Sequence, residues 1–514
     1  MGLNKESRTI NASKNASSAF INKFVILLLA FVSRRFFIKY IGVHYLGING
    51  LFANILTLLS MADLGLGTAM NVSLYKPIAE GDTRKISALL NYFRKMYYVI
   101  AAAVMGIGMC LIPFLKYIVN MDQNIPHLYL YYVIFVTKSA VSYLFVYKSS
   151  IIKADQRQYT VNSVDVYVNI IKVILEIIAI CLFRNYLVYL LLEVGGVVAH
   201  NLAISFIADR SYPFIAEKAE IKPEEKKGIF TDVSSIFLYK IAYSLLNGTD
   251  NVLMSIIVGT IYVGLYSNYL TITSNLEQFI AMLFTSLTAG VGNLVATESP
   301  EHRYDTYKAM QMVSFWICGI VCVCLLYLMQ DFIVIWVGRD LLLDDLTMIA
   351  IVLNVFFSTC MRPVWTFREG TGMYKQIRYI MFATAILNLV LSIVLGKILG
   401  ISGILFATSI SKLCTYFWYE PNILFRDFFH KPVRVYYREY LRNTVLLAFC
   451  IAVCAIPGRL IPGTNIIFWL FKAVIICLIV CAFYYMRYRK APEFANIKEK
   501  AAGLGRKITG KFRR

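Results

Sequence analysis

Arg34, Arg35 and Lys39 stand inside an apolar stretch, residues 19–41, that is as long as a membrane-crossing helix. Arg35 and Lys39 are four apart and share a helix face, with Arg34 about 100° away. A guanidinium stays charged and presents a planar fork of N–H groups, so this trio suits a phosphate-bearing ligand. The alternative is that the side chains snorkel to headgroups, since Arg34 lies roughly 22 Å along the helix from the edge where it begins. Six further cations fall inside apolar stretches: Lys138, Lys172, Lys240, Arg362, Lys412 and Lys472. Lys172 and Glu176 are four apart and read as an internal pair. Lys138, Arg362, Lys412 and Lys472 read as interfacial or structural. The acidic candidates are Asp63, Asp165, Glu193, Asp250 and Glu277, because a buried carboxylate can hold a proton or Na⁺; Asp63 and Asp250 are singled out to carry a coupling ion, although each could equally cap a helix or pair with a neighbour. Asn268, Asn275 and Glu277 follow one another along a single apolar stretch and could hydrogen-bond a hydroxyl-rich ligand.

The elements that must position these residues are helices. The chain has 514 residues, 59% hydrophobic and 16% charged. Runs of about 20 apolar residues predict about fourteen transmembrane helices and no separate soluble domain. When the loops are numbered alternately, 37 Lys/Arg fall in one set with the two ends, 5 in the other and 9 within the spans. The positive-inside rule then places both termini of a multi-pass membrane protein in the cytoplasm. The net charge of +21 sits in short juxtamembrane loops and one tail, where it meets anionic lipid rather than nucleic acid. The stretch from Pro77 to Lys95 is amphipathic and is expected on the cytoplasmic headgroups.

The residues exclude several chemistries. The cysteines lie in or beside apolar segments, and Cys318/Cys322, Cys450/Cys454 and Cys477/Cys481 have i,i+4 spacing, as small core residues would. No CxxC and no ligand-spaced histidine cluster predicts a metal site. The only Walker-like string, Gly505 to Phe512, has Phe512 where a Ser/Thr would hold Mg²⁺, and reads as basic tail. Short outer loops and the absence of a DxD motif argue against a polymerase or glycosyltransferase. The chain is not expected to be an enzyme or to need a bound cofactor; membrane potential, H⁺ or Na⁺ would supply the energy.

Two halves of the chain are faintly alike at an offset of 217. Gly42, Tyr45, Gly47, Ile55, Leu59 and Thr68 match Gly259, Tyr262, Gly264, Ile272, Leu276 and Thr285. Six helices per half is an even number, so the repeats run parallel about an axis along the membrane normal and face each other across a cleft. The expected organisation is a first lobe over 1–208, a cytoplasmic linker over 209–232, a second lobe over 233–425, and two added helices with a basic tail over 426–514. Lys240, at the repeat equivalent of a first-helix position, joins Arg34, Arg35 and Lys39 as a cleft candidate.

The stretch Ile41 to Lys95 carries Leu46-Gly47, Gly50-Leu51, Asp63-Leu64-Gly65, Leu74-Tyr75 and Gly81-Asp82, and Gly248 to Tyr269 carries Thr249-Asp250, Gly259 and Val263-Gly264-Leu265-Tyr266-Ser267. Over about the first 425 residues the chain resembles the polysaccharide exporter (O-antigen flippase) family of the multidrug/oligosaccharidyl-lipid/polysaccharide (MOP) flippase superfamily. The resemblance implies an all-α membrane protein of two six-helix lobes that works by alternating access. Its implied cargo is a polyprenyl-pyrophosphate-linked oligosaccharide moved from the cytoplasmic to the outer leaflet, with a polysaccharide polymerase and glycosyltransferases as partners. Such a cargo suits intramembrane cations, because unpaired polar groups cost several kcal/mol each in hydrocarbon. Competing readings are a lipid II flippase, which typically places an arginine on the eighth helix where this chain has none, and a multidrug antiporter, which would want a drier, aromatic cleft. A structural scaffold has no need for buried charge.

Overall fold

The computed structural model describes residues 8–59, 66–120, 125–217, 219–221, 244–246, 248–463 and 465–495. Among them there is no strand, and nineteen helices of eight residues or more follow in order. They are α1 (Arg8–Tyr40), α2 (Val43–Leu59), α3 (Leu66–Glu80), α4 (Thr83–Cys110), α5 (Leu128–Tyr143), α6 (Val146–Ala154), α7 (Gln158–Phe183), α8 (Tyr186–Ser211), α9 (Asp250–Ile257), α10 (Thr260–Thr285), α11 (Thr288–Thr297), α12 (Pro300–Trp336), α13 (Asp345–Cys360), α14 (Arg362–Thr371), α15 (Tyr374–Leu399), α16 (Ile401–Cys414), α17 (Tyr416–Leu424), α18 (Arg434–Leu460) and α19 (Ile466–Tyr488).

Helix ends fall where the sequence supplies caps. Gly81 takes a φ of +72°, and the Asp82 carboxylate accepts the Lys85 N–H at 2.9 Å to start α4. Asn185 caps α8 through the Leu187 N–H, and Asn465 caps α19 through the Ile467 and Phe468 N–H groups. Asp344 starts α13, accepting the Thr347 N–H at 3.1 Å. Among the described residues, seven helical segments are long and apolar enough to cross a membrane. The pairs α5–α6 and α13–α14, bent by 41° and 42°, raise this to nine if each pair is one span. Apart from α12, which is mostly buried, these seven segments leave their apolar faces largely uncovered by protein: Leu182 on α7 and Ile467 on α19 are 71% and 73% exposed. Such faces are at home only in lipid. Thirteen of the fourteen expected spans coincide with described helices; the seventh, from about Val233, lies outside the described residues.

The chain forms two compact units, Met1–Ser267 and Asn268–Arg514, dividing inside α10. In the N-terminal unit α1 packs along α7, α7 along α8, and α5 against α4 and α8. Its best-packed core lies near the α3–α4 corner, where Leu74, Ile86, Leu90, Phe93, Tyr97 and Tyr212 are buried. This corrects one expectation. The apolar residues of the Pro77–Lys95 stretch do not lie on headgroups, because Ile86, Leu89 and Leu90 face inward and the Ser87 hydroxyl donates to the Phe214 carbonyl at 2.7 Å.

The repeat also appears in this unit as a crossing of α2 and α10. A Cβ on Gly264 would lie 2.8 Å from the Val43 carbonyl oxygen and 2.9 Å from the Gly47 nitrogen, and one on Gly47 would strike the Thr260 carbonyl. At the offset of 217, Val43 matches Thr260 and Gly47 matches Gly264, so the contact is reciprocal, as a local twofold axis requires. The matched Gly42 and Gly259 both take positive φ, +100° and +135°.

In the C-terminal unit α15 packs on α16, and α12 on α13 and α19. The added pair α18–α19 is seated on α12 by specific contacts. Lys472 Nζ meets Asp331 at 2.8 Å, the Trp469 indole donates to the Leu328 carbonyl, and Tyr484 lies over Gly319.

Candidate functional site

Arg34 sits in the last third of α1, turned toward α10. Its Nη1 donates to the Ser267 hydroxyl at 2.9 Å, and Ser267 donates in turn to the Gly264 carbonyl at 2.6 Å. Arg35 and Lys39 are exposed on another side of the same helix. Lys39 lies 5.2 Å above the Tyr40 ring, and Arg35 has no hydrogen-bond or ion-pair partner among the described residues. One guanidinium is therefore anchored and its neighbour is uncommitted. Lys240 and Asp63 lie outside the described residues. Asp250 stands in the first turn of α9, where a carboxylate balances the positive end of a helix.

The N-terminal unit holds a second charged assembly, and it is the better built. Lys138 on α5 and Lys172 on α7 both reach Glu193 on α8: Lys172 Nζ is 2.7 Å from Glu193 Oε1, and Lys138 bonds Oε2. Lys172 also lies 3.7 Å from Glu176. The expected Lys172–Glu176 pair thus exists, with Glu193 as the nearer acid, and Lys138 is paired in the interior. Gly196 makes room for the lysine, since a Cβ there would meet Lys172 Cδ at 2.6 Å. Two turns farther along the same faces, His200 Nε2 approaches Asp165 Oδ1 at 2.7 Å, and Asn22 of α1 donates to Asp165 at 3.4 Å. A cavity of about 380 Å³ opens beside these groups, walled by α5, α6, α7 and α8. Reasoning from the sequence named Asp165 and Glu193 only as separate acidic candidates and missed their assembly with Lys138, Lys172 and His200. The available signal was a polar stripe: Asp165, Asn169, Lys172 and Glu176 on α7, facing Glu193, Gly196 and His200 on α8, all at helical spacing.

The C-terminal unit disperses the remaining candidates. Asn268 is fully buried, Asn275 donates to the Thr271 carbonyl of its own helix at 2.6 Å, and Glu277 accepts a hydrogen bond from Ser358 of α13. Arg362 lies 5.1 Å from the Trp365 ring, and Lys412 is buried. Arg368 and Glu420, both buried, form a salt bridge at 3.1 Å between α14 and α17. Among the described residues, no group of three or more metal-ligating side chains converges.

No family model matches the chain, and no curated protein matches it in sequence. Solved structures do match its fold. The lipid II flippase MurJ, in an inward closed conformation, aligns with a TM-score of 0.68 at 16% identity, over 92% of this chain and 98% of that one. An inward-facing multidrug resistance transporter of the MATE family, MOP superfamily, aligns at 0.58 with 12% identity, over 76% and 93%. The MATE multidrug transporter DinF-BH aligns at 0.56 with 15% identity, over 83% and 97%. The chain is an all-α, multi-pass membrane protein with the MOP flippase fold.

Proposed function

We propose that this protein is a flippase that moves a polyprenyl-pyrophosphate-linked oligosaccharide from the cytoplasmic to the outer leaflet by alternating access. The observation that carries this reading is the pair on α1: Arg34 anchored to Ser267, and Arg35 exposed with no hydrogen-bond or ion-pair partner among the described residues. A cation without a protein partner in the membrane is unfavourable, and an anionic ligand relieves that penalty. Lys138, Lys172 and Lys472 already have acids, which favours α1 over these three as the phosphate site. In this reading 1–208 and 233–425 act as the two lobes, 209–232 as the linker, and 426–514 as added helices and tail. An inside-negative potential drives each exported anionic charge by about 2.3 kcal/mol per 100 mV. A cation antiport through Asp63 or Asp250 would add to this drive.

The test is a deletion in the source cell. Deletion cells should lose surface glycan and accumulate the lipid-linked oligosaccharide on the cytoplasmic leaflet, and the wild-type chain should restore both. Deletion cells with normal surface glycan and no accumulation would overturn the reading. The near full-length match to a lipid II flippase favours a second reading, in which the same cations take the pyrophosphate of lipid II. Rescue of cells depleted of their own lipid II flippase would select it.

A further inference from the structure

The cavity in the N-terminal unit differs in chemistry from the α1 cations. Its lining lysine, Lys172, is committed to Glu193 and Glu176, and its His200 faces Asp165, so it offers an anion no free positive charge. The neutral groups on its walls each direct one donor to backbone. Asn169 Nδ2 donates to the Asp165 carbonyl at 2.8 Å, and Asn201 Nδ2 to the Val141 carbonyl at 3.1 Å. The Ser142 hydroxyl donates to the Ser139 carbonyl at 2.7 Å, and the Ser149 hydroxyl to the Val146 carbonyl at 2.9 Å. Each amide keeps one further N–H, so these four supply two amide and two hydroxyl oxygens as acceptors and two N–H groups as donors, beside the carboxylates of Asp165 and Glu193. Such a wall, with acceptors in excess, favours a neutral ligand rich in O–H and N–H groups over a phosphate. Phe145, Val168 and Val197 add apolar surface between the polar groups. The volume of about 380 Å³ lies within the roughly 300–1,000 Å³ of ligand pockets and would hold about a dozen waters when empty of ligand.

Sugars have this profile, with many hydroxyl donors around a ring whose C–H faces are apolar. We propose that the cavity walled by α5, α6, α7 and α8 is a saccharide-binding subsite that takes glycan hydroxyls while the α1 cations take the phosphates. The proposal rests on the flippase reading and adds to it the place where the sugar is read. The Lys138–Glu193–Lys172 set is the positioning frame: it fixes the Glu193 carboxylate and lays the Lys172 stem along Gly196, which shapes one wall.

The test uses the full-length protein in lipid nanodiscs and two probes, bare polyprenyl pyrophosphate and the glycan-bearing lipid extracted from deletion cells. Two variants probe the cavity. Asn169→Leu/Asn201→Leu removes two acceptors, and Val168→Trp fills the space without removing a hydrogen bond. Each variant should bind the bare lipid as wild type does and the glycan-bearing lipid about tenfold more weakly, as the loss of two hydrogen bonds implies. Glycan-lipid affinity undiminished in both variants overturns the subsite and leaves the flippase reading standing. Equal loss for both lipids in both variants also overturns it, because the cavity would then have no preference for sugar. If deletion cells hold no lipid-linked glycan, the flippase reading fails and the subsite falls with it.

Discussion

The two units arrange their buried charge differently. The C-terminal unit holds separate two-residue pairs, Arg368–Glu420 at 3.1 Å and Lys472–Asp331 at 2.8 Å, among neutral bonds: Asn388 donates to Thr408 at 3.0 Å, Thr384 pairs with Thr415 at 2.7 Å, and Ser409 donates to Asn354, whose amide donates to the Leu405 carbonyl. The N-terminal unit instead keeps two lysines and two glutamates in contact, beside an Asp–His pair and a cavity. Neutral interhelical bonds in a membrane contribute about 0.6 kcal/mol each, and losing one is tolerable. A buried ion that loses its partner costs about 3–5 kcal/mol. Packing alone would favour the neutral arrangement in both places. The contrast teaches that the C-terminal unit places its charge in single ion pairs that fasten one helix to another, while the N-terminal unit gathers a four-residue ionic set beside a cavity.

The largest effect should come from breaking that ionic set. Glu193→Gln leaves Lys138 without an acid and Lys172 with Glu176 alone at 3.7 Å, and should lower stability by about 3–5 kcal/mol in denaturant unfolding of the purified protein. Replacing all four members with Met and Leu should recover most of the loss, since well-packed apolar groups substitute for buried pairs with little penalty. A Glu193→Gln protein as stable as wild type would erase the difference between the units. Next in size is Arg34→Ala/Arg35→Ala. Losing charge-assisted bonds worth about 1.5–3 kcal/mol should weaken binding of bare polyprenyl pyrophosphate by roughly ten- to a hundredfold, with expression and membrane insertion unchanged. The same kind of truncation in the C-terminal unit, Asn388→Leu, should cost only about 0.6 kcal/mol and leave binding untouched.

The smallest effect sharpens the C-terminal side of the comparison. Burial works against ionisation of Asp344, but hydrogen bonds from the Thr347 hydroxyl at 2.5 Å, the Thr347 N–H and the Ser402 hydroxyl outweigh it and hold the carboxyl below its usual range. Stability from a depressed carboxylate is present above its unfolded value, near about 4, and is lost as pH falls through the lower folded value. Asp344→Ala should therefore cost about 0.5 kcal/mol at neutral pH, a figure kept low by solvent exposure, and the difference from wild type should shrink as melting is measured at pH below about 4.

Much of this was legible from residues alone because membrane helices obey local rules. Apolar runs coincided with helices at thirteen described positions, and Gly42, Gly47, Gly259 and Gly264 marked a repeat that returns as a reciprocal helix crossing. Lys172–Glu176 could be read because four residues apart on one helix is a short-range relation. Glu193 bridging Lys138 and Lys172 could not, because it requires α5, α7 and α8 to meet, and their register is set by tertiary packing around Gly196. The Pro77–Lys95 stretch was misread for a related reason. Its hydrophobic periodicity shows an apolar face, and only the fold shows that the face meets Tyr212 and Phe214 rather than lipid.

The central claim is that cations on α1 carry a phosphate-bearing glycolipid across the bilayer. Its most direct test is the rate at which the extracted lipid-linked glycan changes leaflets in proteoliposomes, read by an impermeant enzyme that cleaves only outward-facing glycan. The wild-type chain should move it, and Arg34→Ala/Arg35→Ala should slow it at least about tenfold. Equal rates for the two proteins, or no movement above protein-free liposomes, would contradict the account.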